Sequence, residues 1–210
     1  MGLSCLTDPS AAVIVDASTA INLSATGCAA SILKALPNPA FVTNVVMAEL
    51  EEGHRAGRRD GELVLELAAA ALITIVPLSA AQESHFEALV VGRGVDTLDD
   101  GEAATIAHAA ETGAIALIDE RKANRICAER YPMVRLGCTV DIFAHVAVKA
   151  SLGQNALADA VVGALQQARM RVLPHHIAWV VKLIGQDRAR QCLSLPRAAR
   201  MGATGGAGDP

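Results

Sequence analysis

The chain has 210 residues and a formal net charge of −4, and 52% of its residues are hydrophobic but only 2% aromatic. This size suits one large domain, or one domain with an extension, whose core is built from Val, Ile, Leu and Ala. The acidic total argues weakly against avid binding of duplex nucleic acid, and no apolar stretch reaches the roughly 20 residues of a membrane span.

Short apolar strands alternate with helical segments along the chain. The pattern predicts strands at 13–16, 41–43, 73–76, 115–118 and 134–136. It predicts helices from 17 to 36 and at 45–54, 62–72, 79–91, 101–112, 121–130, 139–152, 156–169 and 175–190. Continuous apolar strands joined by helices are typical of buried parallel sheets. We therefore expect an α/β fold, a three-layer α/β/α sandwich with a parallel five-stranded sheet, followed by C-terminal helices.

Two aspartates end predicted strands. Asp16 closes the run Val-Ile-Val-Asp, and Asp119 closes Ala-Leu-Ile-Asp. Open α/β sheets place ligands at this carboxyl edge. If the two strands are neighbours, the carboxylates lie close together, and two unit charges 4 Å apart repel by about 4 kcal/mol at an effective dielectric of 20. A hard cation with oxygen ligands, Mg²⁺ or Mn²⁺, removes this repulsion. The pair therefore predicts an all-oxygen metal site.

Two glutamates could complete such a cluster. Glu49 lies one turn into the helix after the second strand, and helical side chains tilt toward the helix N-terminus, here toward the sheet edge. Glu102 lies in the first turn of the helix 101–112, where the helix dipole favours a negative charge. Each glutamate could instead be an ordinary helix residue, and Asp99 or Asp100 could take the place of Glu102.

Motifs of several other chemistries are missing from the chain. It has no G-x-x-x-x-G-K-[ST] loop, no G-x-G-x-x-G turn after the first strand and no G-x-S-x-G elbow, which mark nucleotide, dinucleotide and acyl-transfer sites. A bound Mg²⁺ or Mn²⁺ can activate water for in-line attack on phosphorus. Metal-assisted hydrolysis of a phosphodiester therefore fits the acids best.

Four segments resemble the motifs of PIN-domain ribonucleases, in the family's order. They are Val-Ile-Val-Asp-Ala-Ser-Thr-Ala-Ile-Asn-Leu at 13–23, Val-Met-Ala-Glu-Leu at 46–50, Leu-Asp-Asp-Gly-Glu-Ala-Ala-Thr-Ile-Ala at 98–107 and Ala-Leu-Ile-Asp-Glu-Arg-Lys-Ala at 116–123. The third is similar to the Gly-Glu-Ala helix start of one branch of the family. Each motif is weak alone, but the ordered set is fairly specific.

The resemblance implies a sheet with strand order 3-2-1-4-5 and cleavage of RNA that depends on Mg²⁺ or Mn²⁺. It implies that Asp16, Glu102 and Asp119 hold the ion or its waters and that Glu49 completes the catalytic cluster. Ser18 would supply a hydroxyl behind the ligands or beside the phosphate. Many bacterial members look like the toxin half of a toxin–antitoxin pair, so the resemblance also implies RNA as substrate and a small antitoxin protein as a partner.

The same resemblance gives the division of the chain into a PIN-like nuclease domain at 12–152, a helical extension at 153–200 and a flexible tail at 201–210. Residues 166–210 carry seven Lys or Arg and two Asp or Glu, whereas residues 1–165 carry 11 and 20. The basic extension could bind RNA, hold an antitoxin or mediate a homodimer, or it could be an ordinary helical cap. Arg121 and Lys122 directly follow Asp119 and could contact phosphate or could simply be solvated.

Two other functions stay open at this point. The chain could be a catalytically inactive PIN-fold module that binds RNA or protein, although it retains all four acids. It could instead be a phosphatase acting on small molecules. That class requires a nucleophilic aspartate followed two residues later by a second aspartate, and Asp16 is followed by Ala17 and Ser18.

The remaining reactive side chains have ordinary interpretations. The five cysteines include no C-x-x-C pair, which argues against a disulfide scaffold or a zinc site and for buried free thiols in a reducing cytoplasm. The N-terminus lacks the positive start of a signal peptide. His175 and His176 adjoin Pro174 at a helix start, and we expect them to be solvated. Asp141 is interpreted as an acid in the first turn of a helix.

Overall fold

The computed structural model describes residues 4–55, 59–92 and 94–202. Its sheet contains five parallel strands: β1 (Val13–Val15), β2 (Ala40–Thr43), β3 (Thr74–Val76), β4 (Ile115–Leu117) and β5 (Leu136–Gly137). Their order is β3-β2-β1-β4-β5, with every neighbouring pair parallel. The predicted sheet and strand order are confirmed. The part of the predicted tail from residue 203 onward lies outside the described residues.

Helices connect the strands and follow the sheet. They are α1 (Ala17–Ala25), α2 (Ala29–Ala35), α3 (Asn44–Arg55), α4 (Asp60–Ala69), α5 (Ala80–Val90), α6 (Asp100–Thr112), α7 (Arg121–Arg130), α8 (Thr139–Ala144), α9 (Val146–Gln167), a 3₁₀ turn (Pro174–His176), α10 (Ile177–Ile184), α11 (Gln186–Gln191) and α12 (Arg197–Met201). Parallel strands need such crossovers, because a short hairpin cannot join two strands that run the same way.

The alternation of side chains along β1 builds a core on each face of the sheet. Val13 and Val15 belong to one apolar cluster, together with residues of α1 to α4 and α8 to α11. Ile14 belongs to the other cluster, together with residues of α5, α6 and α7. Successive side chains of a strand point to opposite faces, so this buried strand is apolar throughout. The result is the predicted three-layer sandwich.

Several predicted helices are interrupted, and one strand is displaced. The helix predicted from 17 to 36 is two helices, and the helix predicted at 139–152 breaks at His145, where ψ is 136°. The helix predicted at 175–190 breaks at Gly185. The last strand begins at Leu136 rather than at residue 134. Two of the breaks occur at glycines with positive φ, Gly27 (67°) and Gly185 (82°), a conformation that commonly ends a helix.

The helices after residue 153 pack on the same core as α1 and α2. Gly153 leaves the helical conformation with φ 72°, which divides α9 into two segments. In the second segment Leu157, Val161 and Leu165 are buried in the cluster that also contains Val13. The boundary between the domain at 12–152 and the extension at 153–200 stays a prediction. No described helix is long and apolar enough to cross a membrane.

Candidate active site

Asp16 lies between β1 and α1, at the carboxyl edge of the sheet, and is 1% exposed. Its Oδ1 accepts a hydrogen bond from the backbone N–H of Thr19 at 2.7 Å, which caps α1, and its Oδ2 accepts one from the Ser18 hydroxyl at 2.7 Å. Burial raises the pKa of Asp16, and these hydrogen bonds offset only part of that effect. Its carboxylate is therefore held in one orientation in an environment that disfavours its charge.

Asp119 lies beside Asp16, because β1 and β4 are neighbours with Val15 paired to Leu117. It is 2% exposed. Its Oδ2 accepts hydrogen bonds from Asn22 Nδ2 at 2.7 Å and the Thr139 hydroxyl at 2.5 Å, and its Oδ1 accepts one from the Thr139 backbone N–H at 2.9 Å. Burial, followed by the charge of Asp16, raises the pKa of Asp119 to about 7.

Glu102 faces the same cluster from the first turn of α6, where it is partly buried. Burial is the largest cause that raises its pKa to about 7, and the charges of Asp16, Asp99 and Glu49 add to it. The carboxylates therefore lie close enough to repel one another. An electropositive ligand would relieve this repulsion, because an opposite charge within ~4–6 Å favours the ionised form of a carboxyl group.

Glu49 reaches the cluster from α3 across a glycine. Its Oε2 lies so close to Gly101 that a Cβ at that position would overlap the carboxylate, and Val46 Cγ2 would lie 3.5 Å from the same Cβ. Gly101 therefore leaves free the space that the Glu49 carboxylate occupies. The glycine that precedes Glu102 thus positions the carboxylate of a different helix.

A cleft of about 290 Å³ lies over this edge of the sheet. Its lining includes the four predicted acids, with Asp99 and Glu120 beside them and residues 168–171 at the C-terminal side. In that last segment Arg171 pairs with Glu120. Arg169 has φ 54°, a left-handed conformation that is uncommon outside glycine. The acids therefore form the floor of the cleft, and Arg169 and Arg171 form a basic rim on its C-terminal side.

The other predicted site residues lie in three different places. Ser18 lines the cleft and donates to Asp16, as expected for a residue behind a ligand. Arg121 lines a neighbouring pocket together with Asp119 and Arg171. Lys122 donates from Nζ to the Gly94 carbonyl at 2.7 Å. Neither of these two basic residues is part of the cleft lining, although Arg121 shares the neighbouring pocket with Asp119.

The two residues proposed as replacements for Glu102 are less well placed. Asp99 lines the cleft but is exposed, and Asp100 lies on the wall of a shallower pocket beside Glu49. Glu102 is partly buried and interacts electrostatically with both Asp16 and Asp99. The geometry therefore favours Glu102 for the third acidic role.

Sequence reasoning missed the side chains that hold Asp119 and those at the rim of the cleft. Asn22 lies on α1, and Thr139 begins α8, two residues after the end of β5. Thr139 has the same signal as the acids, a polar residue after a strand, but the predicted strand ended at residue 136. No local signal pointed to Arg169 and Arg171, because the tertiary fold alone returns this segment to the sheet edge.

The donor set of the cleft is made of oxygens, which suits a hard divalent cation. Among the described residues, the acids do not form a group of three whose oxygens all lie within 4.8 Å of one another. An ion here would therefore bind one or two carboxylates directly and reach the others through water, which is how Mg²⁺ is usually bound. On Asp119, Oδ1 accepts a single hydrogen bond and so retains a lone pair for an ion or water.

Comparison with known proteins gives one match. The family model DUF3368, described as a PIN domain, matches residues 12–186. No curated protein and no solved structure matches the chain significantly. The matched range includes all four acids, and it extends beyond residue 152 to include the rim of the cleft.

Proposed function

The chain belongs to the PIN-domain family, whose fold is of the nuclease type, and from this premise we propose that it is an endoribonuclease that requires Mg²⁺ or Mn²⁺. The observation that carries the proposal is the convergence of Asp16, Glu49, Glu102 and Asp119 on one cleft at the carboxyl edge of the central strands. Two of these carboxyl groups have a pKa raised to about 7. Raised pKa values in a cleft are typical of functional sites.

In this proposal Asp16, Glu102 and Asp119 hold the ion or its waters, and Glu49 completes the cluster. The ion, when bound, supplies an activated water and stabilises charge on the phosphate oxygens. Ser18 orients Asp16 by a hydrogen bond of 2.7 Å. Such partners fix a ligand's orientation, and their loss typically weakens metal binding by about 10–100-fold.

Asn22 and Thr139 do the same for Asp119, with three hydrogen bonds of 2.5 to 2.9 Å. They fix the plane of the carboxylate before an ion arrives. Since both residues are buried, the carboxylate keeps this orientation without competition from water. The site is thus organised before it binds metal or RNA.

Arg169 is the side chain that we propose contacts the RNA phosphate. It is an exposed cation in the lining of the cleft, on a segment that also carries Arg171. Its positive φ is sterically unfavourable for a residue other than glycine. Backbone conformations of this kind are common at ligand sites, where the surrounding structure maintains them.

RNA cleavage with added Mg²⁺ or Mn²⁺ tests the activity. Asp16→Asn and Asp119→Asn are expected to reduce kcat by several orders of magnitude while the variants remain folded. Asp159→Asn is the matched control, because Asp159 is an exposed carboxylate paired with Arg188 on the helical surface. Cleavage that persists in both cleft variants would overturn the assignment.

Two further measurements separate the alternatives. If the chain is an inactive binding module, a calorimetric titration with Mn²⁺ need show no heat of binding that depends on the carboxylates of the cleft. A phosphatase would hydrolyse small phosphate monoesters and leave RNA intact. The toxin role, the antitoxin partner and the homodimer stay predictions, and the reading frame beside the gene would test the first two: a small DNA-binding protein encoded there would support them.

Arg169→Gly tests the contact with phosphate. Glycine adopts positive φ without the Cβ penalty, so the variant is expected to fold at least as stably and yet to have a higher KM for RNA. The slope of log KM against log salt should change by about 0.7, the value for one single-strand phosphate contact. Ala71→Gly is the matched control, because Ala71 has φ 56° but lies outside the cleft. An unchanged KM in Arg169→Gly would refute this role.

A further inference from the structure

A second cluster of metal-binding side chains lies beside the acidic cleft but shares no side chain with it: Cys138 adjoins Thr139, which donates to Asp119. Cys138, Asp141 and His176 each offer one ligand atom, and the three atoms all lie within 4.8 Å of one another. All three residues are buried. Cys138 precedes α8, Asp141 is in the first turn of that helix, and His176 ends the 3₁₀ turn before α10.

The spacing of these atoms is close to that of a tetrahedral zinc site. Cys138 Sγ lies 3.2 Å from Asp141 Oδ2, and His176 Nε2 lies 3.5 Å from the same oxygen. Zinc bonds of about 2.0 to 2.3 Å in a tetrahedron place neighbouring ligands about 3.4 to 3.8 Å apart. Two of the three distances between ligand atoms are therefore close to the required length. The third, between Cys138 Sγ and His176 Nε2, is at most 4.8 Å and needs to shorten by no more than about 1 Å to reach the same range.

His176 supplies independent evidence for a ligand. It is 1% exposed, and neither ring nitrogen has a hydrogen-bond partner among the described residues. Leaving a buried polar group without a partner costs about 1–3 kcal/mol. The prediction of a solvated His176 is wrong, because the packing of α10 on the core buries the turn that carries it. The burial of His176 and the lack of a hydrogen bond at Nε2, which lies 3.5 Å from Asp141 Oδ2, are both explained if that nitrogen binds a metal.

Asp141 is ready to act as a ligand. Its Oδ1 accepts a hydrogen bond from the Cys5 backbone N–H at 2.9 Å, and its Oδ2 accepts one from the Cys138 N–H at 3.0 Å. These bonds fix its orientation, as bonds to ligating carboxylates do in metal sites.

Cys5 lies beside the cluster, although its sulfur is not within 4.8 Å of all three ligand atoms and would have to move closer to become a fourth ligand. The residue is exposed as a whole, but its sulfur points inward: it would lie 2.9 Å from a Cβ placed on Gly137. The Cys5 backbone N–H donates to Asp141 Oδ1 at 2.9 Å, so the N-terminal segment places a second sulfur near the carboxylate that the other two ligands share.

We propose that Cys138, Asp141 and His176 bind one Zn²⁺, with Cys5 as the fourth ligand. Two sulfurs, one nitrogen and one oxygen form a donor set that suits zinc and does not suit Mg²⁺. Each thiol loses its proton to solvent as its bond to the metal forms, and no electron is transferred. The site is closed and structural: it ties the N-terminal segment and the turn before α10 to the start of α8. It does not depend on RNA cleavage.

A cobalt titration tests this site directly. The full chain is treated with a chelator, desalted and titrated with Co²⁺, which reports thiolate ligands through near-ultraviolet charge-transfer absorption. We expect one equivalent of Co²⁺ to produce this absorption, Co²⁺ in the acidic cleft to add none, and Zn²⁺ to abolish the absorption and to raise the Tm of the metal-free protein. His176→Gln and Cys138→Ser are expected to lose the absorption and the Tm shift, and Cys5→Ser to weaken both.

Two controls make the result specific. Cys127→Ser removes a buried thiol of α7 outside the cluster, and Asp16→Asn removes a carboxylate of the cleft; both should show the charge-transfer absorption of the wild type. A wild-type protein with no charge-transfer absorption would overturn the proposal, whatever the variants do. Equal charge-transfer absorption from the wild type and His176→Gln in the Co²⁺ titration would also overturn it. If Cys138→Ser fails to fold, His176→Gln still decides the question.

Discussion

The raised pKa of Asp119 makes a quantitative prediction about stability. Burial and Asp16 raise this pKa from 3.8 to about 7 in the folded chain. The folded state therefore binds more protons than the unfolded state between about pH 4 and pH 7, and the free energy of unfolding must fall as pH rises through that interval. The protonated form, present at lower pH, is the stable one in the absence of metal.

The size of the effect follows from the shift. About 3 units at 1.36 kcal/mol each correspond to about 4 kcal/mol lost well above pH 7, of which about 2 kcal/mol is lost between pH 5 and pH 7. Asp119→Asn removes this ionisation and keeps the shape of the side chain. We therefore expect the variant to lose about 2 kcal/mol less than the wild type over the same interval.

Urea unfolding in EDTA at several pH values measures this difference. The comparison with Asp119→Asn is essential, because burial lowers the pKa of His108 and gives a contribution of opposite sign in both proteins. Mg²⁺ should restore stability to the wild type above pH 7 and have little effect on the variant, since a ligand that binds the folded state stabilises it. Parallel pH profiles for the two proteins would refute the reasoning.

Two other substitutions test how the cleft is built. Gly101→Ala places a methyl group where the Glu49 carboxylate lies, so we expect weaker Mn²⁺ binding by calorimetry and slower RNA cleavage. The control Gly94→Ala adds a methyl group that meets nothing within 4 Å and should change neither measurement. An equal loss of Mn²⁺ binding and cleavage in the two variants would contradict this role of Gly101. Thr139→Val removes the 2.5 Å hydrogen bond to Asp119 and is expected to lower the free energy of unfolding by about 1–3 kcal/mol. Because that bond lowers the pKa of Asp119, the pH profile of cleavage should also move to higher pH, and an unmoved profile would exclude this role of the hydroxyl.

The hydrophobic pattern was sufficient to predict a parallel sheet covered by helices on both faces, and the resemblance to PIN domains implied its strand order. Val13, Ile14 and Val15 are all apolar although their side chains alternate between the two faces of the sheet, which is expected for a strand covered by helices on each side. Asp16 could also be placed at the site, because it follows a predicted strand and the ends of parallel strands all lie at the carboxyl edge of the sheet. These features depend on local periodicity, and periodicity is visible in a single sequence.

The ends of segments near the C-terminus were harder to predict. The predicted helix at 139–152 breaks at His145, and the last strand lies at Leu136–Gly137. Their positions depend on what each segment packs against, and local propensity is too weak to decide it. The error at the last strand concealed Thr139, which the structure places directly on Asp119.

The sequence by itself thus determined the layers of the fold and the acidic residues that gather at one edge. Only the tertiary structure decided what surrounds them. It shows that Gly101 leaves space for the Glu49 carboxylate, that Arg169 lines the cleft beside the acids, and that His176 is buried beside Cys138. The physical reason is the range of the interactions. Strand and helix patterns are set by neighbours a few residues apart, whereas a site is made by side chains that are distant in the chain and meet only when the core has packed.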